Sequence, residues 1–129
     1  MKGAKYMRSM TRRDFLENIF NYEKSKDWNY QDETPCVIDF HDESCPPCQA
    51  LSPVLEKLES EYGASVKFYK VDIRNEEDLA QELGVVNLPT LVFCPLAGRP
   101  IVLQGAVSKE KLILTIENEL LENDDSRGG

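Results

Sequence analysis

The sequence predicts an α/β domain built on a mixed sheet, with helices on both faces. Three observations lead there. Segments with helical spacing alternate with short apolar runs rich in strand formers. The first two such runs are separated by a helical segment, which makes them parallel neighbours with a right-handed crossover. The last two are separated only by "PLAGRP", close enough for an antiparallel hairpin.

In chain order, the first helix is expected over residues 11–22. Phe15, Leu16, Ile19 and Phe20 share a face, and Thr11 stands as its cap with Asp14 three residues on. "EKSKDWNYQDET" is a polar connector with a short extended piece at Trp28 to Tyr30. "CVIDF" reads as a strand buried on both faces. Cys48, Leu51, Leu55, Leu58 and Tyr62 then recur at helical steps up to Gly63, with Pro53 inside as a kink. "VKFYKVDI" is the second strand. Asn75 is expected to cap a third helix bearing Leu79, Ala80 and Leu83, with Gly84 just past its end. "TLVFC" and "IVLQG" form the hairpin. Ser108 caps a last helix with Leu112, Ile113, Ile116 and Leu120 inward.

The 129 residues suit one domain with a sizeable core, at 41% hydrophobic and 29% charged. We expect a flexible segment over residues 1–10, one domain over residues 11–122, and a disordered acidic, glycine-bearing tail over residues 123–129. The net charge of -8 argues against nucleic-acid and anionic-membrane partners. No apolar run approaches the roughly 18 residues of a membrane span. "TRRDFL" resembles a twin-arginine export signal but lacks an apolar segment behind it. A cytoplasmic location is therefore expected.

Chemistry concentrates in "VIDFHDESCPPCQALSPVL". A Cys-x-x-Cys pair at a helix start can serve as a redox dithiol. Cys45 at the cap would meet free backbone N–H groups and the helix dipole, which stabilise a thiolate. Cys48, one turn in, would be held back beneath it. Pro46 and Pro47 suit the first turn, which has no use for their missing N–H donors, and they stiffen the bridge. Asp39 lies inside an apolar strand, where burial raises a carboxyl's pKa and fits it to accept a proton from a buried thiol. A cap or an ion pair with Lys70 would be a purely structural use of the same residue. Pro89, directly before a strand, suggests a rigid or cis bond after Leu88, although taken alone an ordinary strand-leading proline is the simpler reading. A zinc site from Cys45, Cys48 and two of Cys36, Cys94 and His41 is the weaker alternative. The chain has only one close cysteine pair, and Cys36 and Cys94 read as small buried hydrophobes.

Together "VIDFHDESCPPCQALSP", "FYKVDI", "VVNLPT" and "GAVSKEKL" resemble the thioredoxin family, in order and spacing, from about Pro35 to Leu121, roughly two thirds of the chain. "NIFNYEKSKDWNY" is similar to the lead-in of some bacterial members. The resemblance implies a thioredoxin-like three-layer sandwich. It implies Cys45 as attacking thiolate, Cys48 as resolving cysteine, and Asp39 as the carboxylate serving Cys48 with Lys70 as its neighbour. It further implies Pro89 as a cis-proline beside the dithiol, Leu88 pairing its backbone with an extended substrate, and Gly105 and Ala106 completing an apolar rim.

The family typically reads W-C-G-P-C, with another aromatic three residues earlier. Here Ser44 precedes Cys45, His41 takes the aromatic place and Pro46 the glycine place. His41 could tune Cys45 near neutral pH, but the reading favoured from the sequence is an exposed or rim histidine with no essential part. Trp28, the single tryptophan, is expected to be a packing residue.

The implied activity is thiol–disulfide exchange, reducing protein disulfides through a reversible Cys45–Cys48 pair. No bound cofactor is expected. Reducing equivalents would come from a thioredoxin-reductase-type donor to a monomer. The alternatives are a protein-binding module of the same fold, or a specialised oxidant or isomerase with an altered rim.

Overall fold

A computed structural model describes residues 7–121. Expectations for residues 1–6 and for the tail lie outside the described residues. A short strand, β1 (Arg8–Ser9), leads into α1 (Arg12–Asn18), β2 (Cys36–His41), α2 (Pro46–Tyr62), β3 (Lys67–Asp72), α3 (Glu77–Glu82), β4 (Thr90–Cys94), β5 (Ile101–Gln104) and α4 (Lys109–Thr115). A wider π-type turn, Ile116–Leu121, continues α4.

The sheet order is β1-β3-β2-β4-β5. β1 and β2 run parallel to β3, while β4 runs antiparallel to both β2 and β5. The parallel pair and the hairpin are both as expected. β2 is central, and side chains alternate between its faces. Val37, with Phe68, Leu91 and Phe93, packs under Leu51, Leu55 and Leu58 of α2 and Leu112, Ile116 and Leu120 at the C-terminal end. Ile38 and Phe40, with Tyr69 and Val71, pack against Phe15, Ile19 and Leu79 on the other face. Asp39 shares the parity of Val37 and so points under α2.

Three boundaries differ from expectation. Residues 7–10, assigned to a flexible segment, instead extend the sheet. Arg8 and Ser9 pair with Tyr69 and Lys70, the N–H of Met10 donates to the carbonyl of Lys70 at 2.8 Å, and Met7 and Met10 are buried. α1 stops at Asn18 rather than Tyr22. Thr11 caps it through a reciprocal pair of bonds with Asp14, but Ile19 and Phe20 bury themselves beyond its end. Asn75 does not cap α3. Glu76 holds that place without a side-chain bond, and Asn75 lies in the preceding turn, its N–H donating to the carbonyl of Asp72.

Candidate active site

α2 is long, 17 residues, and Cys45 is its cap. Cys45 and Cys48 are joined as a disulfide, with Cα atoms 5.2 Å apart, well inside the span a disulfide bridges. The N–H of Cys48 donates to Cys45 Sγ at 3.3 Å. Pro46 and Pro47 fill the first two helical positions, and the first turn carries no acidic residue. A negative sulfur at this cap would therefore face backbone N–H groups, with no acidic side chain in the helix's first turn. The two cysteines differ in access. Cys45 is half-buried, whereas Cys48 is 5% exposed.

Asp39 is likewise 5% exposed, and its Oδ1 has no hydrogen-bond partner among the described residues. Burial pushes its carboxyl up to about 7, against a smaller opposite pull from Lys70. Lys70 stands opposite Asp39 in the parallel register. Asp39, Lys70, His41 and Cys48 all line one cavity of about 250 Å³. His41 is half-buried. Burial, more than its charged neighbours, sets its balance and holds it below the usual histidine value, while Asp72 pulls it the other way.

The Leu88–Pro89 bond is cis. Pro89 is buried and Leu88 partly so. The carbonyl of Pro89 accepts from the N–H of Gly105 at 2.8 Å, which ties this loop to the end of β5. Gly105 has φ +79°, a left-handed conformation that glycine alone adopts freely. Ala106 beside it is exposed. Trp28 packs on Phe20 with ring centroids 5.0 Å apart, remote in role from the dithiol, as a packing residue would. Cys36 and Cys94 face each other across β2 and β4, both fully buried. Donation of a hydrogen bond to Cys36, then burial, holds the Cys94 thiol well above its usual value. Among the described residues no cluster of His, Cys, Asp and Glu is arranged to hold a metal ion.

Sequence reasoning missed Arg74. Its Nε lies 3.1 and 3.2 Å from the two carboxylate oxygens of Asp42, and its Nη2 donates to Ser44 Oγ at 3.0 Å. Asp42 also accepts from the N–H of Ser44 at 2.9 Å, and its carbonyl accepts from the N–H of Cys45 at 3.0 Å. Ser44 first, then Arg74, holds the Asp42 carboxyl below the usual range. An ionic clamp thus supports the loop that delivers Cys45. It includes Ser44, in the collar around the dithiol, where the family typically carries a tryptophan. No local pattern could have revealed it, because Arg74 lies 32 residues from Asp42.

Comparison with known proteins agrees with this geometry. The family model described as Thioredoxin matches residues 18–118. The chain belongs to the thioredoxin family. It is 40% identical over 102 residues to thioredoxin of Borreliella burgdorferi, covering 79% of this chain and 87% of that one. It is 38% identical over 89 residues to thioredoxin C-2 of Corynebacterium nephridii, covering 68% and 82%. The crystal structure of chloroplastic thioredoxin z superposes with a TM-score of 0.73 at 20% identity, covering 91% of this chain and 96% of that one, which speaks for the fold. The α/β thioredoxin-like sandwich is therefore the fold. Thiol–disulfide oxidoreduction through the Cys45–Cys48 pair is the activity of this family member.

Proposed function

We propose that the protein is a protein-disulfide reductase in which Cys45 attacks and Cys48 resolves. The observation that carries this reading is the asymmetry of the pair. Cys45 is reachable at a helix cap, while Cys48 is buried over a cavity that also holds Asp39. The Cys45 thiolate attacks a substrate disulfide, forms a mixed disulfide and releases one substrate thiolate. Asp39 takes the proton of Cys48. The new thiolate attacks Cys45 Sγ, the mixed disulfide breaks, and the second substrate thiolate leaves.

The surroundings support substrate docking at this face. Leu88 offers its backbone to an extended substrate segment. Pro89, Gly105 and Ala106, with the exposed Pro46 and Pro47, form the rim. Lys70 tempers the charge on Asp39. Among the described residues no helix is long and apolar enough to cross a membrane. We place the protein in the cytoplasm as a monomer, re-reduced by a thioredoxin-reductase-type donor, with no cofactor of its own.

Equilibration of the Cys45–Cys48 pair against a glutathione series tests the reductive direction. A midpoint at or below the cytosolic glutathione poise, about −220 to −260 mV, is expected. A midpoint near the about −120 mV of periplasmic oxidants would reverse the direction proposed.

A further inference from the structure

Asp39 and His41 are two residues apart on β2, so both side chains project to the α2 side of the sheet. Both line the cavity that reaches Cys48, together with Lys70, Gln49 and Ser52. Oδ1 of Asp39, on a residue 95% buried, has no partner among the described residues, in a polar space large enough for water. His41 is half-buried and lines this cavity, so it meets both the cavity and solvent. A typical family member has an apolar aromatic at this place.

We infer that His41 is the proton relay of this site, carrying to solvent the proton that Asp39 takes from Cys48. The inference rests on the assignment of Asp39 as the base. In the resolving step, the Asp39 carboxylate removes the Cys48 proton. The Cys48 thiolate bonds to Cys45 Sγ, and the electron pair of the broken mixed disulfide leaves on the substrate sulfur. Asp39 is then a neutral carboxylic acid. Through a cavity water it protonates one imidazole nitrogen, and the imidazolium releases its proton from the other nitrogen to solvent or to the departing thiolate. Asp39 returns to its charged form and the ring to neutral.

The groups facing His41 allow this cycle. Lys70 and Asp72 approach from β3, Asp42 and Glu43 from the loop, Glu56 from α2, and Asp39 from its own strand. Burial is the largest influence and favours the neutral ring near pH 7, which leaves a lone pair for the incoming proton. Asp72 opposes it, so protonation stays within reach. Lys70, as an ammonium, has no lone pair to take the proton.

Acid-quenched mixing of the reduced protein with oxidised glutathione, read by intact mass, follows the Cys45–glutathione mixed disulfide as it forms and decays. The relay predicts that His41→Phe resolves at least about tenfold more slowly at pH 7, within the range of general acid–base effects. The mixed disulfide would then accumulate, and added imidazole would restore the decay. His41→Gln, which keeps polarity without a titratable ring, should be slow as well and should also respond to imidazole. Decay at the wild-type rate in both variants from pH 5.5 to 9 would overturn the relay. So would slow decay that imidazole leaves unchanged, since that marks a structural effect. Asp39→Asn separates the two claims. If it decays slowly and imidazole gives no rescue, the base assignment stands, and the His41 variants alone decide the relay. If it decays at the wild-type rate, the base assignment fails and the relay falls with it.

Discussion

The backbone N–H of Cys48 donates to Cys45 Sγ across 3.3 Å. This bond joins Cys45 Sγ, at the positive end of a 17-residue helix, to the backbone of Cys48 one turn in. Pro46 and Pro47 fill the two helical positions before this donor. They start the helix without N–H groups of their own and leave the Cys48 donor free to point at sulfur.

An acid placed in that first turn should oppose the thiolate. Pro46→Asp is expected to slow alkylation of reduced Cys45 by iodoacetamide near pH 6 by up to about fivefold, the equivalent of a helix-terminus charge effect. The gap should close at alkaline pH, where the thiol is ionised in either protein. An unchanged rate at pH 6 would show that the helix start does not govern this sulfur.

The Arg74 clamp makes a similar prediction by a different route. Arg74→Ala frees Asp42 and Ser44 and withdraws a cation from the collar. Alkylation of Cys45 should slow at neutral pH and low salt. The melting temperature should barely move, because exposed ion pairs add little stability. Added salt should narrow the difference in rate. A normal rate with lowered stability would make the clamp a structural feature only.

Asp39 should cost stability where it is charged. Its folded pKa is raised from 3.8 to about 7, so between those values the folded protein binds the proton more tightly than the unfolded chain. Its contribution therefore worsens as pH rises from about 4 to about 7 and is constant above. Asp39→Asn removes this penalty. Denaturation at pH 8 should find the variant more stable than wild type, by up to about 4 kcal/mol, since each tenfold change in proton affinity is worth about 1.4 kcal/mol. At pH 4 the two should be nearly equal. A variant less stable at pH 8 would contradict the burial argument.

Gly105→Ala tests the corner that holds Pro89. A Cβ there would meet nothing within 4 Å, so the cost is conformational rather than steric. With φ at +79°, alanine should lose about 1–2 kcal/mol in urea denaturation. A loss below about 0.5 kcal/mol would mean that the corner relaxes freely.

Much of this was legible in the chain, for reasons local to it. The strand pattern of "CVIDF", the helical spacing from Cys48 to Tyr62 and the Ser108 cap are short-range signals, and each appears where expected. Asp39 stood out because a carboxyl in an apolar strand violates a strong rule. The failures are tertiary. β1 is two residues long and exists only because β3 offers a free edge. Ile19 and Phe20 leave the helix pattern because burial outweighs helix continuation. Asn75 lost its cap role to a turn anchored on Asp72. The Arg74 clamp depends on a residue from the turn after β3, which no local spacing encodes, whereas the two-residue step from Asp39 to His41 already puts both on one face of β2.

The division of labour between Cys45 and Cys48 is tested most directly by trapping. Cys48→Ser, reduced and mixed with a protein disulfide substrate such as insulin, should accumulate a stable mixed disulfide. Peptide mapping by mass spectrometry should place the adduct on Cys45, and Cys45→Ser should form none. An adduct on Cys36 or Cys94, or disulfide reduction persisting in Cys45→Ser, would contradict the account.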